Sequence, residues 1–92
     1  MKPFYVYMLE CADGSYYIGH TDDIEKRVSE HEQGQGSGYT KTRLPVKVVY
    51  MQDFMTRDEA ISAEQQIKGW SRKKKRALID HDWEMIKKLS NQ

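Results

Sequence analysis

The sequence predicts an α+β fold: a small three-stranded antiparallel sheet with flanking helices, in the order β-β-α-β-α-α-α. Three observations carry this reading. Two runs rich in aromatic and branched residues, Phe4 to Leu9 and Ser15 to His20, lie on either side of Ala12-Asp13-Gly14, which is a hairpin signal. A third such run, Pro45 to Met51, opens on a proline, which is tolerated at a strand start because no ladder donor is lost there. Helix-capping residues follow the hairpin at Thr21-Asp22-Asp23 and the third run at Thr56.

The length of the hairpin turn decides which side chains share a face. A two-residue loop at Asp13-Gly14 sets Tyr7 opposite His20 and leaves Tyr17 on the other face. A three-residue loop, Ala12-Asp13-Gly14, sets Tyr7 opposite Gly19 and Tyr17 opposite Leu9, so that both phenols share a face. The last position of that loop needs a left-handed residue, and Gly14 takes φ > 0 without strain. The three-residue register is therefore expected. It sends Val6, Met8 and Ile18 to the opposite face as core, and leaves two phenols beside a glycine.

After the hairpin, a helix is expected from about Asp22 to Gln33, with Ile24 and Val28 as its apolar stripe. Arg27 and His31 are four residues apart and so point the same way, one turn above the other. Gly34, Gly36 and Gly38 end that helix and open a loop running to Pro45, which carries Tyr39, Lys41 and Arg43. Such a loop suits either draping over a polyanion or an ordinary surface connection. Thr56 and Glu59 form a capping box for a helix to about Lys68, with Ala60, Ile61, Glu64 and Ile67 facing inward. Glu64 is the odd member: a carboxylate on an apolar stripe needs a partner or a metal, and Lys68 at i+4 is one available partner. Ser71 caps a helix from Arg72 to about Ile79, and Asp82 a last one through Leu89. Trp70, Leu78, Trp83, Met85 and Ile86 are expected to seal that end as core.

Ninety-two residues, 38% hydrophobic and 32% charged, are read as one domain spanning 1–92, with no room for a second core. No apolar run approaches the ~20 residues of a membrane span, and the N-terminus lacks a signal-peptide core, so a cytoplasmic chain is expected. The single Cys11 excludes an internal disulfide and a cysteine zinc site, and reads as a small buried hydrophobe. A net charge of +1 does not announce a nucleic-acid binder, but Arg72-Lys73-Lys74-Lys75-Arg76 is a local run of five cations. That run suits a solvated helix face or phosphate contact. No pattern speaks for a particular oligomeric state.

Tyr5-Val6-Tyr7 and Tyr17-Ile18-Gly19, with the two tyrosines ten residues apart, resemble the motif of the GIY-YIG nucleases. Arg27 and His31 stand where that family carries its arginine and its second helical polar residue, and Glu64 where it carries its metal-binding glutamate. The stretch Glu64-Gln65-Gln66-Ile67-Lys68-Gly69-Trp70-Ser71 further resembles the small stand-alone GIY-YIG proteins of bacteria. The likeness covers nearly the whole chain. Three departures stand out: Tyr5 replaces the first glycine of the motif, His20 stands where many members carry lysine, and Arg76 falls near a position that is often asparagine.

The resemblance implies the GIY-YIG endonuclease fold and metal-dependent hydrolysis of phosphodiester bonds in structured or branched DNA. Glu64 would hold one divalent cation, Mg²⁺ or Mn²⁺, with water filling the other positions. Arg27 would fork onto phosphate oxygens. Tyr7 and Tyr17 would orient the nucleophile, one of them as its base, and His31 would contact phosphate or relay a proton. The implied partner is nucleic acid, DNA rather than RNA, with His20, Lys41, Arg43, Arg72, Lys73 and Lys74 as candidate contacts. The alternative is a catalytically weak or inactive nucleic-acid-binding module of the same fold.

Overall fold

The computed structural model of the chain describes residues 2–90. Its sheet grows from the turn at Ala12-Asp13-Gly14. Cys11 N–H donates to Ser15 O (2.8 Å) and Gly14 N–H to Cys11 O (2.9 Å), and Gly14 sits at φ 83°. Asp13 Oδ1 accepts from Ser15 N–H at 3.0 Å, closing the turn with a side chain that mimics backbone. The strands either side are β1 (Phe4–Glu10) and β2 (Tyr16–Thr21). They pair antiparallel with Tyr7 opposite Gly19 and Leu9 opposite Tyr17, the register of the three-residue loop.

The remaining elements are α1 (Ile24–Glu32), α2 (Gly38–Lys41), β3 (Lys47–Phe54), α3 (Arg57–Lys68), α4 (Arg72–Ile79) and α5 (Trp83–Ser90). The sheet order is β2-β1-β3, antiparallel throughout, with β1 central. This is the expected three-stranded sheet with flanking helices. Two local expectations need correction. The stretch from Gly34 to Pro45 is not all loop: Ser37 caps the short α2 by accepting from Thr40 N–H at 3.2 Å. The third strand starts at Lys47 and runs past Met51 to Phe54, because Gln52, Asp53 and Phe54 continue the ladder opposite Val6, Tyr5 and Phe4. A bulge at Met8/Leu9 absorbs one residue of β3.

The two faces of the sheet do different work. Val6, Met8 and Ile18 face Ala60 and Ile67 of α3 and Leu78 of α4, and these six form the buried core. Phe54, Trp70 and Ile86 pack against it in part. Trp83, expected to seal this end, is 59% exposed instead, because it opens α5 at the rim of the cluster. Thr56 caps α3 as read: its hydroxyl accepts from Glu59 N–H (3.2 Å) and donates to Glu59 Oε1 (2.9 Å). Cys11 is buried and free, its thiol pushed up by burial, as suits a small hydrophobe. Among the described residues, no helix is long and apolar enough to cross a membrane.

Met8 is fully buried at the centre of the core, whereas Met55 stands exposed just after β3. Met8→Ala is expected to lower unfolding free energy by about 2–5 kcal/mol, a large part of a small protein's stability. Met55→Ala should change it by less than about 0.5 kcal/mol. Denaturant midpoints of the two variants check the contrast.

Candidate active site

The other face of the sheet carries a polar cluster centred on Tyr7. The paired register puts Tyr7 over Gly19, and a methyl there would lie only 2.6 Å from the phenol oxygen. Glycine at that position lets the ring lie flat across β2. Tyr7 is 1% exposed, and its oxygen is reached from two sides. Arg27 Nε donates to it at 3.3 Å, and His31 Nε2 lies 2.9 Å away. The i, i+4 spacing on α1 is what delivers both groups to one atom. Tyr17 flanks the cluster, its ring centroid 6.3 Å from that of Tyr7 and 4.9 Å from that of His31.

His31 is wholly buried, and both of its nitrogens are engaged. Nδ1 lies 2.8 Å from Thr40 Oγ1, itself wholly buried. The network assigns the tautomer. Tyr7 already accepts from Arg27, so its own proton goes to Nε2, and the ring proton sits on Nδ1 facing Thr40. The Thr40 hydroxyl passes its proton on to Ser37 O at 3.4 Å. Gly36 closes the other side of the ring, since a methyl there would clash with Nδ1. Thr40 and Gly36 were not singled out from the sequence as site residues. Gly36 read as one of three loop glycines, and nothing local marks Thr40 as a histidine's partner.

Glu64 reaches the same region from the opposite face, at the β2 edge. Its position between Ala60 and Ile67 on the inward stripe of α3 keeps the side chain 12% exposed. Oε1 meets His20 Nδ1 at 3.2 Å and Oε2 meets Lys68 Nζ at 3.5 Å. Its charge is felt at Tyr7, where it helps to raise the phenol's pKa. A single hard carboxylate suits a divalent cation whose shell is completed by water and phosphate. Among the described residues no group of three His, Cys, Asp or Glu side chains gathers to form a closed metal site.

The candidate nucleic-acid contacts are dispersed. His20 stands beside Glu64. Lys41 is exposed on α2. Arg43 is bound to Asp13 at 3.0 Å and lies 3.9 Å over the Tyr39 ring. Arg72 covers Tyr16 at 4.6 Å and Lys74 covers Trp70 at 4.2 Å. Lys73 is exposed. Lys68 and Lys75 line a hollow with Tyr17, and neither was among the expected contacts.

The cluster prefers to be neutral. Burial pushes Tyr7 up to about 12 despite the Arg27 hydrogen bond, and burial and the Arg27 charge push His31 below its usual 6.5. Neither group is a free base or acid at neutral pH. Each would have to work through the other.

Sequence comparison places this geometry. The model of the GIY-YIG catalytic domain matches residues 3–77, which include Tyr7, Tyr17, Arg27, His31 and Glu64. The chain belongs to the GIY-YIG family. That makes it a member of a nuclease family. Similar proteins include the UPF0213 protein SSP2268 of Staphylococcus saprophyticus, 49% identical over 79 residues, covering 86% of this chain and 96% of that one. A UPF0213 protein of Streptococcus pneumoniae is 46% identical over 78 residues, covering 85% of this chain and 79% of that protein. The solution NMR structure of the UPF0213 protein BH0048 from Bacillus halodurans is similar at 41% identity and a TM-score of 0.57, covering 85% of this chain and 83% of that one.

The raised Tyr7 and lowered His31 set the pH dependence of folding. Folding favours neutral Tyr7, so the stability it contributes is intact below pH 10 and is lost as pH rises from 10 through about 12. Folding also favours neutral His31, so its contribution is intact above pH 6.5 and is lost as pH falls below it. Denaturant unfolding across pH should show both slopes, with the alkaline slope reduced in Tyr7→Phe and the acid slope reduced in His31→Gln.

Proposed function

We propose that this protein is a metal-dependent endonuclease that hydrolyses phosphodiester bonds in structured or branched DNA. The observation that carries the reading is the convergence of Arg27 and His31 on one phenol oxygen, with Tyr17 alongside. Arg27 faces both phenols and remains charged at any working pH, so it is placed to meet a phosphate that sits against Tyr17. Tyr17, more accessible than Tyr7, orients the attacking water.

Tyr7 then serves as a relay. As its oxygen accepts the water's proton, its own proton passes to His31 Nε2, and His31 becomes imidazolium with Nδ1–H still held by Thr40. A phenol with a pKa of about 12 is mostly protonated at neutral pH, so the concerted hand-over is what makes it useful. The proton later leaves for the departing oxygen or for solvent.

Glu64 is the residue that would hold Mg²⁺ or Mn²⁺, with His20 beside it as a proton carrier or phosphate contact. A cation bound there would offset the charge building on the phosphoryl group and the leaving oxygen. Lys68 now neutralises that carboxylate. Its ammonium is half exposed on a flexible stem, so it can swing away to phosphate when a cation enters.

A second reading has one observation in its favour. Both Glu64 oxygens are already engaged, by His20 and Lys68, which suits a binding module without turnover. A nicking assay on branched and linear DNA with Mg²⁺ or Mn²⁺ separates the two. The endonuclease reading expects nicking that chelation stops and that Arg27→Ala and Glu64→Gln each abolish while the fold survives. Tyr7→Phe should slow nicking by roughly 10²-fold or more. Salt-sensitive binding with no product from wild-type protein over long incubation would favour the binding module.

A further inference from the structure

Beside Tyr17 lies a hollow of about 220 Å³ lined by Tyr16, Tyr17, Ile18, Tyr39, Lys68 and Lys75. Its lining joins aromatic rings to two ammonium groups. Tyr39 is 39% exposed, and its ring centroid lies 6.1 Å from that of Tyr17 with only 30° between the planes. Arg43 braces that ring, with its guanidinium 3.9 Å from the centroid. Arg43 is itself tied down on three sides: to Asp13 at 3.0 Å, to Tyr39 O at 2.9 Å and to Thr42 Oγ1 at 3.2 Å. The aromatic surface is thus fixed before any ligand arrives.

Two ammonium groups complete the hollow, and one of them links it to the catalytic region. Lys68 Nζ lies 3.5 Å from Glu64 Oε2. A phosphate held by Lys68 would therefore lie between Glu64 and whatever occupies the hollow. A planar, apolar-faced group joined to a phosphate at short range describes a nucleotide. The base in a continuous duplex has both faces covered by its neighbours, so only an unpaired or splayed base can offer a face to Tyr39.

We propose that Tyr39, braced by Arg43, is a stacking platform for one unpaired base next to the reacting phosphate, with Lys68 and Lys75 holding that nucleotide's phosphates. The protein then selects DNA with a single-stranded segment at the cleavage point over continuous duplex. This rests on Tyr17 facing the reacting phosphate, but the test is one of binding and needs no turnover.

The test is fluorescence anisotropy of labelled DNA in the presence of a chelator, so that cleavage plays no part. Three probes of equal length are compared: a mixed-sequence single strand, a strand of abasic nucleotides, and a blunt duplex. Wild-type protein should bind the base-bearing strand about ten-fold more tightly than the abasic strand or the duplex, the scale of one aromatic–base stack. Tyr39→Leu, which keeps an apolar side chain under Arg43, should erase that preference and leave duplex binding unchanged. Tyr39→Trp should keep it. Equal binding of base-bearing and abasic strands by wild-type protein overturns the proposal, as does a preference that survives in Tyr39→Leu. Nicking activity without the preference leaves the endonuclease reading standing and removes the platform. The preference without nicking does the reverse.

Discussion

The site depends on how closely one phenol oxygen approaches one glycine. Tyr7 can lie across β2 only because Gly19 presents no side chain, and the two meet only because the hairpin turn has three residues. Shortening the turn by one residue would send Tyr17 to the core face and bring His20 opposite Tyr7. Arg27 and His31 would then converge on a phenol with no partner beside it. A backbone conformation at Gly14 is thus coupled to the chemistry of an atom in the middle of the strand pair.

The two faces of the sheet impose opposite demands. The face toward α3, α4 and α5 is apolar and holds the fold together through Val6, Met8, Ile18 and their partners. The face toward α1 and α2 buries two titratable rings, which is tolerable because every buried polar side-chain atom among the described residues has a hydrogen-bond partner. Tyr7, His31 and Thr40 satisfy one another in a chain, and α2 exists to bring Thr40 to its end. Glu64 lies at the boundary between the faces. It is carried on the apolar stripe of α3 and reaches the polar region at the edge strand.

Much of this was legible from local rules. The Asp-Gly step and its flanking aromatics predicted the register, and Arg27 and His31 four residues apart predicted a shared direction. Thr56 and Glu59 predicted the start of α3, and Glu64 with Lys68 predicted the ion pair that forms. What escaped depends on tertiary contact. Ser37-Gly38-Tyr39-Thr40 has weak helix propensity, and the turn forms because Ser37 caps it and Thr40 gains His31. Residues 52–54 join the third strand because β1 extends that far to receive them, not because of their own propensity. The cationic run was visible, but only packing reveals that Lys75 faces the hollow beside Tyr17 while Lys74 lies over Trp70.

The clasp between Asp13 and Arg43 has a consequence of its own. Arg43 O also accepts from Ala12 N–H at 2.9 Å, so the connector after α1 is fastened to the hairpin tip by one backbone bond and one surface ion pair. The ion pair is solvent-facing and weakens as mobile ions crowd it, with the screening distance near ~3 Å in molar salt. Arg43 keeps its bonds to Tyr39 O, Thr42 Oγ1 and the Ala12 amide when that ion pair is screened, because none of those partners carries a net charge. Brine thus loosens one strap of the clasp and leaves the others fastened.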